Sequence, residues 1–293
     1  MALLRAFVRF CRPHTIIATF LQVAGLFVVS RPEQLPVAEG LPILAVALLA
    51  ALAGNIYIVG LNQLTDVTID RINKPYLPLA SGVFSMRQGW FLTVGFGGLA
   101  LGLAAGQGAI LFLTVLISMI IGTLYSLPPV RLKQYPVAEL FAIAFVRGVV
   151  TNFGFFWHFQ GAAGGWSWLI GWMALFFFGF GLVIGLYKDI PDLEGDRQHT
   201  IFTFAVRLGA GPVFRAGRWL LTVCYLLPIV VSLADWSRPG SPFFLLAHLG
   251  LVALFWWRSW QVDVTSRPEI TRFYLLLWTL FYAEYILLAL YER

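Results

Sequence analysis

Two short runs in this chain concentrate side chains able to hold a divalent cation. Asn62, Asp66 and Asp70 recur at every fourth residue, with Asn73 and Lys74 behind them; Asp189, Asp192 and Asp196 follow Lys188 and precede Arg197. With Glu194, the two runs hold six of only 14 Asp and Glu in 293 residues. Carboxylates so close repel one another unless a cation joins them. Residues four apart are neighbours on a helix, so Asn62, Asp66 and Asp70 are expected as one stripe at a helix end. Asp192 and Asp196 form a similar pair with Asp189 on their side, although Pro191 interrupts a regular helix there. Mg²⁺ takes oxygen ligands and is commonly bound through a few carboxylates together with substrate phosphates. A diphosphate would be repelled by these carboxylates without metal between them. Asn62, Asp66, Asp70, Asp189, Asp192 and Asp196 are thus candidate oxygen donors to such an ion. Lys74, Arg131, Lys133, Lys188 and Arg197 are candidates for direct contact with phosphate oxygens.

The elements that must position these groups are read from composition. The chain is 59% hydrophobic and only 12% charged, where a soluble domain has about a quarter charged residues. Nine apolar runs of spanning length fall near 14–30, 41–62, 89–105, 109–126, 137–158, 166–188, 212–234, 241–260 and 270–291. Backbone groups in a bilayer must be satisfied internally, and the alternating short segments of a barrel are absent. The expected fold class is all-α, a polytopic bundle of nine transmembrane helices forming a single domain over residues 1–293. Arg5, Arg9 and Arg12 lead into the first apolar run, which continues without a cleavage-site pattern, so it reads as an uncleaved first helix.

Lysine and arginine sort strongly by loop. Sixteen of the 20 fall in the N-terminal segment and the loops on its side; Arg31, Arg238 and Arg293 fall on the other, and Arg147 lies inside a span. The positive-inside bias places the N-terminus in the cytoplasm and the C-terminus outside. It also puts both acidic runs, four helices apart, at one cytoplasmic interface, where they can converge. The opposite loops at 106–108 and 160–165 are short and uncharged. The net charge of +6 therefore serves membrane topology and is no nucleic-acid signature. Cys11 and Cys224 imply no disulfide framework. Phosphate-loop and dinucleotide fingerprints are absent. A transporter would carry its polar site near the midplane, whereas these carboxylates cluster at one interface.

The wording of the motifs resembles the UbiA superfamily of membrane prenyltransferases over nearly the whole chain. Asn62-x3-Asp66-x3-Asp70 with Asn73-Lys74-Pro75-x2-Pro78-Leu79-Ala80-Ser81-Gly82 is similar to its first signature, and Lys188-Asp189-Ile190-Pro191-Asp192-x2-Gly195-Asp196 to its second. Tyr125-Ser126-x-Pro128-Pro129-x-Arg131-x-Lys133 is a broader superfamily pattern. Arg12-Pro13-His14-Thr15, the Asn73–Gly82 stretch and Arg147-Gly148-x3-Asn152-x-Gly154-Phe155-Phe156-x-His158 most resemble homogentisate prenyltransferases; chlorophyll synthases typically carry Glu where Lys74 stands. Phe202 departs from the pattern, since many members carry a basic residue there.

The resemblance implies Mg²⁺, as two ions, bridging a prenyl diphosphate to Asn62, Asp66, Asp70, Asp189, Asp192 and Asp196, with Asp66, Asp70, Asp192 and Asp196 as the catalytic carboxylates. Ionisation would give an allylic cation, attacked by an electron-rich aromatic acceptor. For homogentisate the substitution is accompanied by carboxyl loss, as in tocopherol or plastoquinone synthesis, with a phytyl or geranylgeranyl donor. The acceptors 4-hydroxybenzoate, chlorophyllide and naphthoate are the alternatives within the superfamily. The implied partners are these two substrates and the lipid bilayer of a bacterial inner or thylakoid-type membrane, with the site on the cytoplasmic face, no nucleic acid and no protein partner. Phe, Tyr and Trp make up 16% of the chain; most belong to packing and lipid contact, and a few near the site could shield a cation. Arg147, about ten residues into the fifth span, is costly at that depth. It is expected either to hold the acceptor carboxylate or to pair with Glu139 or Glu284. His14 and Asn152 are further acceptor-site candidates, while His158 is read as a packing or interfacial residue.

Overall fold

The structure is a computed structural model and describes residues 2–32, 35–161, 165–199 and 201–292. The expected Arg293 and part of the uncharged 160–165 loop lie outside those residues. Among the described residues there is no strand, and nine helical segments are long and apolar enough to span a membrane. In chain order the elements are α1 (Ala2–Phe10), α2 (Pro13–Ser30), α3 (Val37–Thr65), α4 (Val67–Asn73), α5 (Met86–Gly106) and α6 (Ala109–Ser126). Then come α7 (Pro136–Ala144), a π-helical turn (Phe145–Val150) and α8 (Thr151–Gln160), which together make the fifth span. The chain closes with α9 (Trp168–Lys188), α10 (Leu193–Gln198), α11 (Phe204–Leu208), α12 (Ala210–Ala234), α13 (Ser241–Trp260) and α14 (Arg267–Tyr291).

Local chemistry sets the ends of the spans. Pro13 occupies the first turn of α2, where its missing N–H costs nothing. Ser85 and Gln88 form a reciprocal capping box at α5, and Ser167 caps α9, each satisfying otherwise orphaned N–H groups. Lipid offers no hydrophobic drive for helix pairing, so close packing of small residues matters. α5 presents the buried stripe Gly89, Thr93, Gly97, Ala100 and Ala104 to α3, with Gly89 against Leu64, Thr93 against Gly60, Gly97 against Tyr57 and Ala100 against Gly54. The second half is held differently, by rings. Phe176, Phe177 and Phe180 of α9 meet Tyr225 of α12 and Phe281 and Tyr285 of α14, with Phe177 stacked on Tyr285 at 4.1 Å. Each such pair contributes about 0.5–1.5 kcal/mol beyond its contact area.

A cavity of about 730 Å³ opens between α2, α3, α6, the fifth span, α9 and α14; α5, α12 and α13 contribute no lining residue and pack outside this ring. The spans lie within a few residues of those read from hydropathy. Two features differ. The segment before Arg12 is a separate helix, because Arg12 takes a left-handed conformation (φ 51°) between α1 and α2. The stripe Asn62–Asp66–Asp70 is not one helix: α3 ends at Thr65, Asp66 has φ −115° and ψ 16°, and a second helix begins at Val67. Lateral bonds to the Asp66 carboxylate from Lys133 and Arg131 on the α6–α7 connection accompany this break.

Candidate active site

The two acidic runs meet at one end of the bundle and are stitched together. Lys74 pairs with Asp192. Asn73 Nδ2 donates to Asp196 Oδ1 at 3.3 Å, and the Gly195 N–H donates to Asn73 Oδ1 at 2.9 Å. α4 lies along α10 at this seam. Only glycine permits the approach: a Cβ on Gly195 would stand 2.6 Å from the Asn73 carboxamide. Gly195→Val is therefore expected to destabilise the protein by about 1–3 kcal/mol, the usual cost of overpacking, read as a lowered melting temperature in detergent. An unchanged melting temperature would remove this contact from the description.

Cations interleave the carboxylates. Asp66 Oδ1 accepts from Lys133 and, at 3.2 Å, from Arg131, while Asn62 Nδ2 donates to Asp66 Oδ2 at 2.8 Å. Arg12 Nη2 donates to Asn62 Oδ1 at 2.9 Å. Arg12 and Arg131 are the non-glycine residues with positive φ among the described residues, a conformation costing on the order of 1 kcal/mol each, and both guanidinium groups reach the first run. In the second run, Lys188 Nζ lies 2.5 Å from both Glu139 Oε1 and Asp189 Oδ1, and Tyr125 Oη donates to the same Glu139 oxygen at 2.8 Å. Arg267, at the start of α14, donates to the carbonyl of Asn73 and so ties the cap to the last span.

Burial and crowding strain the ionised state of these acids. Burial, aided by the charges of Asp66 and Asp192, pushes Asp70 up to about 6 against the pull of Lys74 and Arg12. Burial and the neighbouring Asp192 push Asp196 up to about 7. Asp189 is raised well above the carboxylate range by burial and Glu139. Lys133 is lowered by burial despite Asp66. Asp70 Oδ2 and Glu139 Oε2 are buried without a hydrogen-bond partner. An oxygen-only donor set with raised acids and orphaned carboxylate oxygens fits a divalent, hard cation. Among the described residues no three acidic, His or Cys side chains converge on one point, so such an ion must draw part of its shell from an anionic ligand and water.

Away from the acidic end the cavity turns apolar, lined by Val23, Ala51, Ile58, Val115, Met119 and Phe155. Arg147 lies on its wall. Its guanidinium stands 4.7 Å from the Trp278 ring centroid and 6.0 Å from that of Phe281. The expected alternative of an ion pair is not what forms: Glu139 is taken by Lys188 and Tyr125, and Glu284 by His248 at 2.9 Å on the outer helix α13. His14 also faces the cavity, with its ring 5.2 Å from Trp278 and 6.1 Å from Tyr274. Of the other expected residues, Asn62, Asp66, Asp70, Lys74, Lys133, Lys188, Asp189, Asp192 and Asp196 line the cavity. Arg131 reaches it through Asp66. Arg197 is exposed and not part of the lining. Asn152 is fully buried behind the wall, bonded to backbone carbonyls and Tyr285, with no face on the cavity. His158 is likewise outside the lining. Lining residues that the sequence does not mark as site residues include Arg12, Tyr125, Glu139 and Trp278. Glu139 carried a usable signal, a lone acid in an apolar span, which is a functional marker by default.

Residues 18–281 match the UbiA prenyltransferase family. The homogentisate phytyltransferase of Synechocystis sp. is 46% identical over 99% of this chain and 96% of its own length. Homogentisate phytyltransferase 1 of Arabidopsis thaliana is 39% identical over 97% of this chain and 75% of its own length. Among solved structures, a UbiA homolog from Archaeoglobus fulgidus bound to GPP and Mg²⁺ superposes with a TM-score of 0.72 over 98% of this chain and 99% of that one, at 20% identity, and so shares the fold.

Proposed function

The chain belongs to the UbiA prenyltransferase family, and from that premise we propose that its cavity joins a prenyl diphosphate to homogentisate. A phytyl or geranylgeranyl group is transferred to the ring with loss of the acceptor carboxyl as CO₂, in tocopherol or plastoquinone-type prenylquinone synthesis. The observation that carries this reading is the two-ended cavity: interleaved carboxylates and cations at one end, an apolar depth, and on its wall an arginine with no carboxylate partner among the described residues. Both relatives described above are named for transfer to homogentisate.

Asn62, Asp66, Asp70, Asp192 and Asp196 are the residues that would hold Mg²⁺, with Asp189 set back against Lys188 and Glu139. Bound there with the donor, the metal would neutralise the negative charge that develops on the departing diphosphate. Lys74, Lys133, Lys188 and Arg131 sit among the carboxylates, so phosphate oxygens can replace their present acidic partners. From Asp66 to Ala51 the wall of α3 runs fifteen residues, about 22 Å at the helical rise. That depth suits an extended phytyl or geranylgeranyl tail and is well short of a solanesyl chain. Tyr274 and Trp278 line the cavity, where aromatic rings can stabilise an allylic cation. Arg147, between the polar end and the apolar depth, receives the acceptor's carboxylate. The sorting of Lys and Arg supports a cytoplasmic site, a cytoplasmic N-terminus and an outer C-terminus, with the whole chain as one membrane domain.

The test incubates purified protein and Mg²⁺ with homogentisate, 4-hydroxybenzoate, chlorophyllide and naphthoate, each against several prenyl diphosphates, with products read by mass spectrometry. The expected result is a decarboxylated, prenylated methylquinol from homogentisate with a phytyl or geranylgeranyl donor. Product only from another acceptor would overturn the acceptor assignment.

A further inference from the structure

The fifth span leaves α geometry at one place. Across Phe145–Val150 it runs as a π turn, in which the Thr151 N–H bonds to Val146 O, five residues back. An extra residue in a turn disturbs the backbone ladder, and side chains supply donors here. Asn152 Nδ2 donates to Arg147 O at 2.8 Å and to Gly148 O at 2.9 Å. Gln22 Nε2, from α2, donates to Arg147 O at 3.1 Å and to Thr151 Oγ1 at 2.6 Å. Tyr285 Oη, from α14, donates to Asn152 Oδ1 at 2.9 Å. Both amide hydrogens and the oxygen of Asn152 are thus engaged, and Asn152, Gln22 and Tyr285 are all buried. Behind the turn, Gly148 packs directly on the backbone of Phe178. In front, the Arg147 guanidinium lies over Trp278 in the cavity.

We propose that Asn152, fixed by Tyr285 and aided by Gln22, is a positioning residue for the acceptor: it holds the π turn that aims Arg147 into the cavity. This rests on the reading that Arg147 receives the acceptor carboxylate. Collapse of the turn to regular α-helix would shift the register by one residue, rotating Arg147 by about 100° relative to the following helix. Asn152 touches no part of the cavity, so it acts on the acceptor only through Arg147.

The experiment measures KM for donor and for acceptor in Asn152→Ala, Arg147→Ala and the double variant. Tyr285→Phe, which largely keeps volume and lies outside the cavity lining, carries the same expectation if Asn152→Ala does not fold. Losing these bonds is expected to raise the acceptor KM about fivefold to tenfold, with the donor KM within about twofold. The double variant should be no worse for the acceptor than Arg147→Ala alone, because coupled residues are non-additive. Additive losses, an equal rise in donor KM, or an unchanged acceptor KM in the folded Asn152 and Tyr285 variants would overturn the inference while leaving Arg147 as the carboxylate ligand. An unchanged acceptor KM in Arg147→Ala would instead overturn the carboxylate reading, and the inference with it.

Discussion

Asp192→Ala is expected to lower turnover roughly a thousandfold, the rate equivalent of about 4 kcal/mol, while the protein stays folded in detergent. Asp192 stands at the N-terminus of α10, without a side-chain capping bond, and pairs with Lys74 across the seam between the two acidic runs. Its side chain retains some exposure and the seam keeps its Asn73–Gly195 and Asn73–Asp196 bonds, so removal weakens the fold little. Removal leaves Lys74 without its acidic partner and takes one oxygen pair from the cation site. The metal and diphosphate then lose a ligand just where the leaving group's charge develops. Asp66→Ala should match it in activity but not in stability. Asp66 neutralises the buried Lys133, and stripping one partner from a buried pair costs about 3–5 kcal/mol. Asp66→Asn keeps the shape but still leaves the Lys133 charge uncompensated, so it should lose activity fully and recover only part of the melting temperature lost in Asp66→Ala. Excess chelator should silence the native protein, and added Mg²⁺ should restore it. Full turnover in Asp192→Ala, or in chelator, would remove the metal–diphosphate site from this chain.

The spans are legible because a bilayer imposes a length and makes charge within it costly; the nine apolar runs correspond to nine spanning segments among the described residues, with ends shifted by a few residues. The convergence of Asp66, Asp70, Asp192 and Asp196 followed from spacing and loop charge. What spacing alone missed is the break at Asp66. A period of four reads as one helix, yet Lys133 and Arg131, more than sixty residues away, meet its carboxylate where α3 ends. Arg12 was hidden for a related reason. A residue before proline is expected to be extended, and its left-handed conformation at the Asn62 carboxamide is a tertiary outcome. The π turn is the least legible element: beside the local donors Thr151 and Asn152 it takes one from Gln22 on α2, and Asn152 is in turn held by Tyr285, 133 residues on. Asn152 was expected at the acceptor; its type was informative, but its direction depended on contacts that no local pattern encodes.

Arg147→Ala is expected to raise the acceptor KM by about a hundredfold, near 3 kcal/mol, within the range for removing one partner of a desolvated charge pair. The donor KM should change by less than about twofold, because the diphosphate cations Lys74, Lys133 and Lys188 belong to the acidic end and none of them contacts Arg147. The size of the effect follows from the site. An arginine at this depth is expensive unless something repays its desolvation, and among the described residues no carboxylate does so; the Trp278 face at 4.7 Å is its observed partner. A cation–π contact returns on the order of 1–2 kcal/mol, less than a bidentate carboxylate can give. Arg147→Lys is the sharper variant. It keeps the charge but loses the planar fork and its stacking on Trp278, so it should recover only part of the acceptor affinity. An acceptor analogue without the carboxyl group should bind native protein and Arg147→Ala equally weakly. A rise in donor KM instead, with the acceptor unaffected, would move Arg147 from the acceptor to the diphosphate.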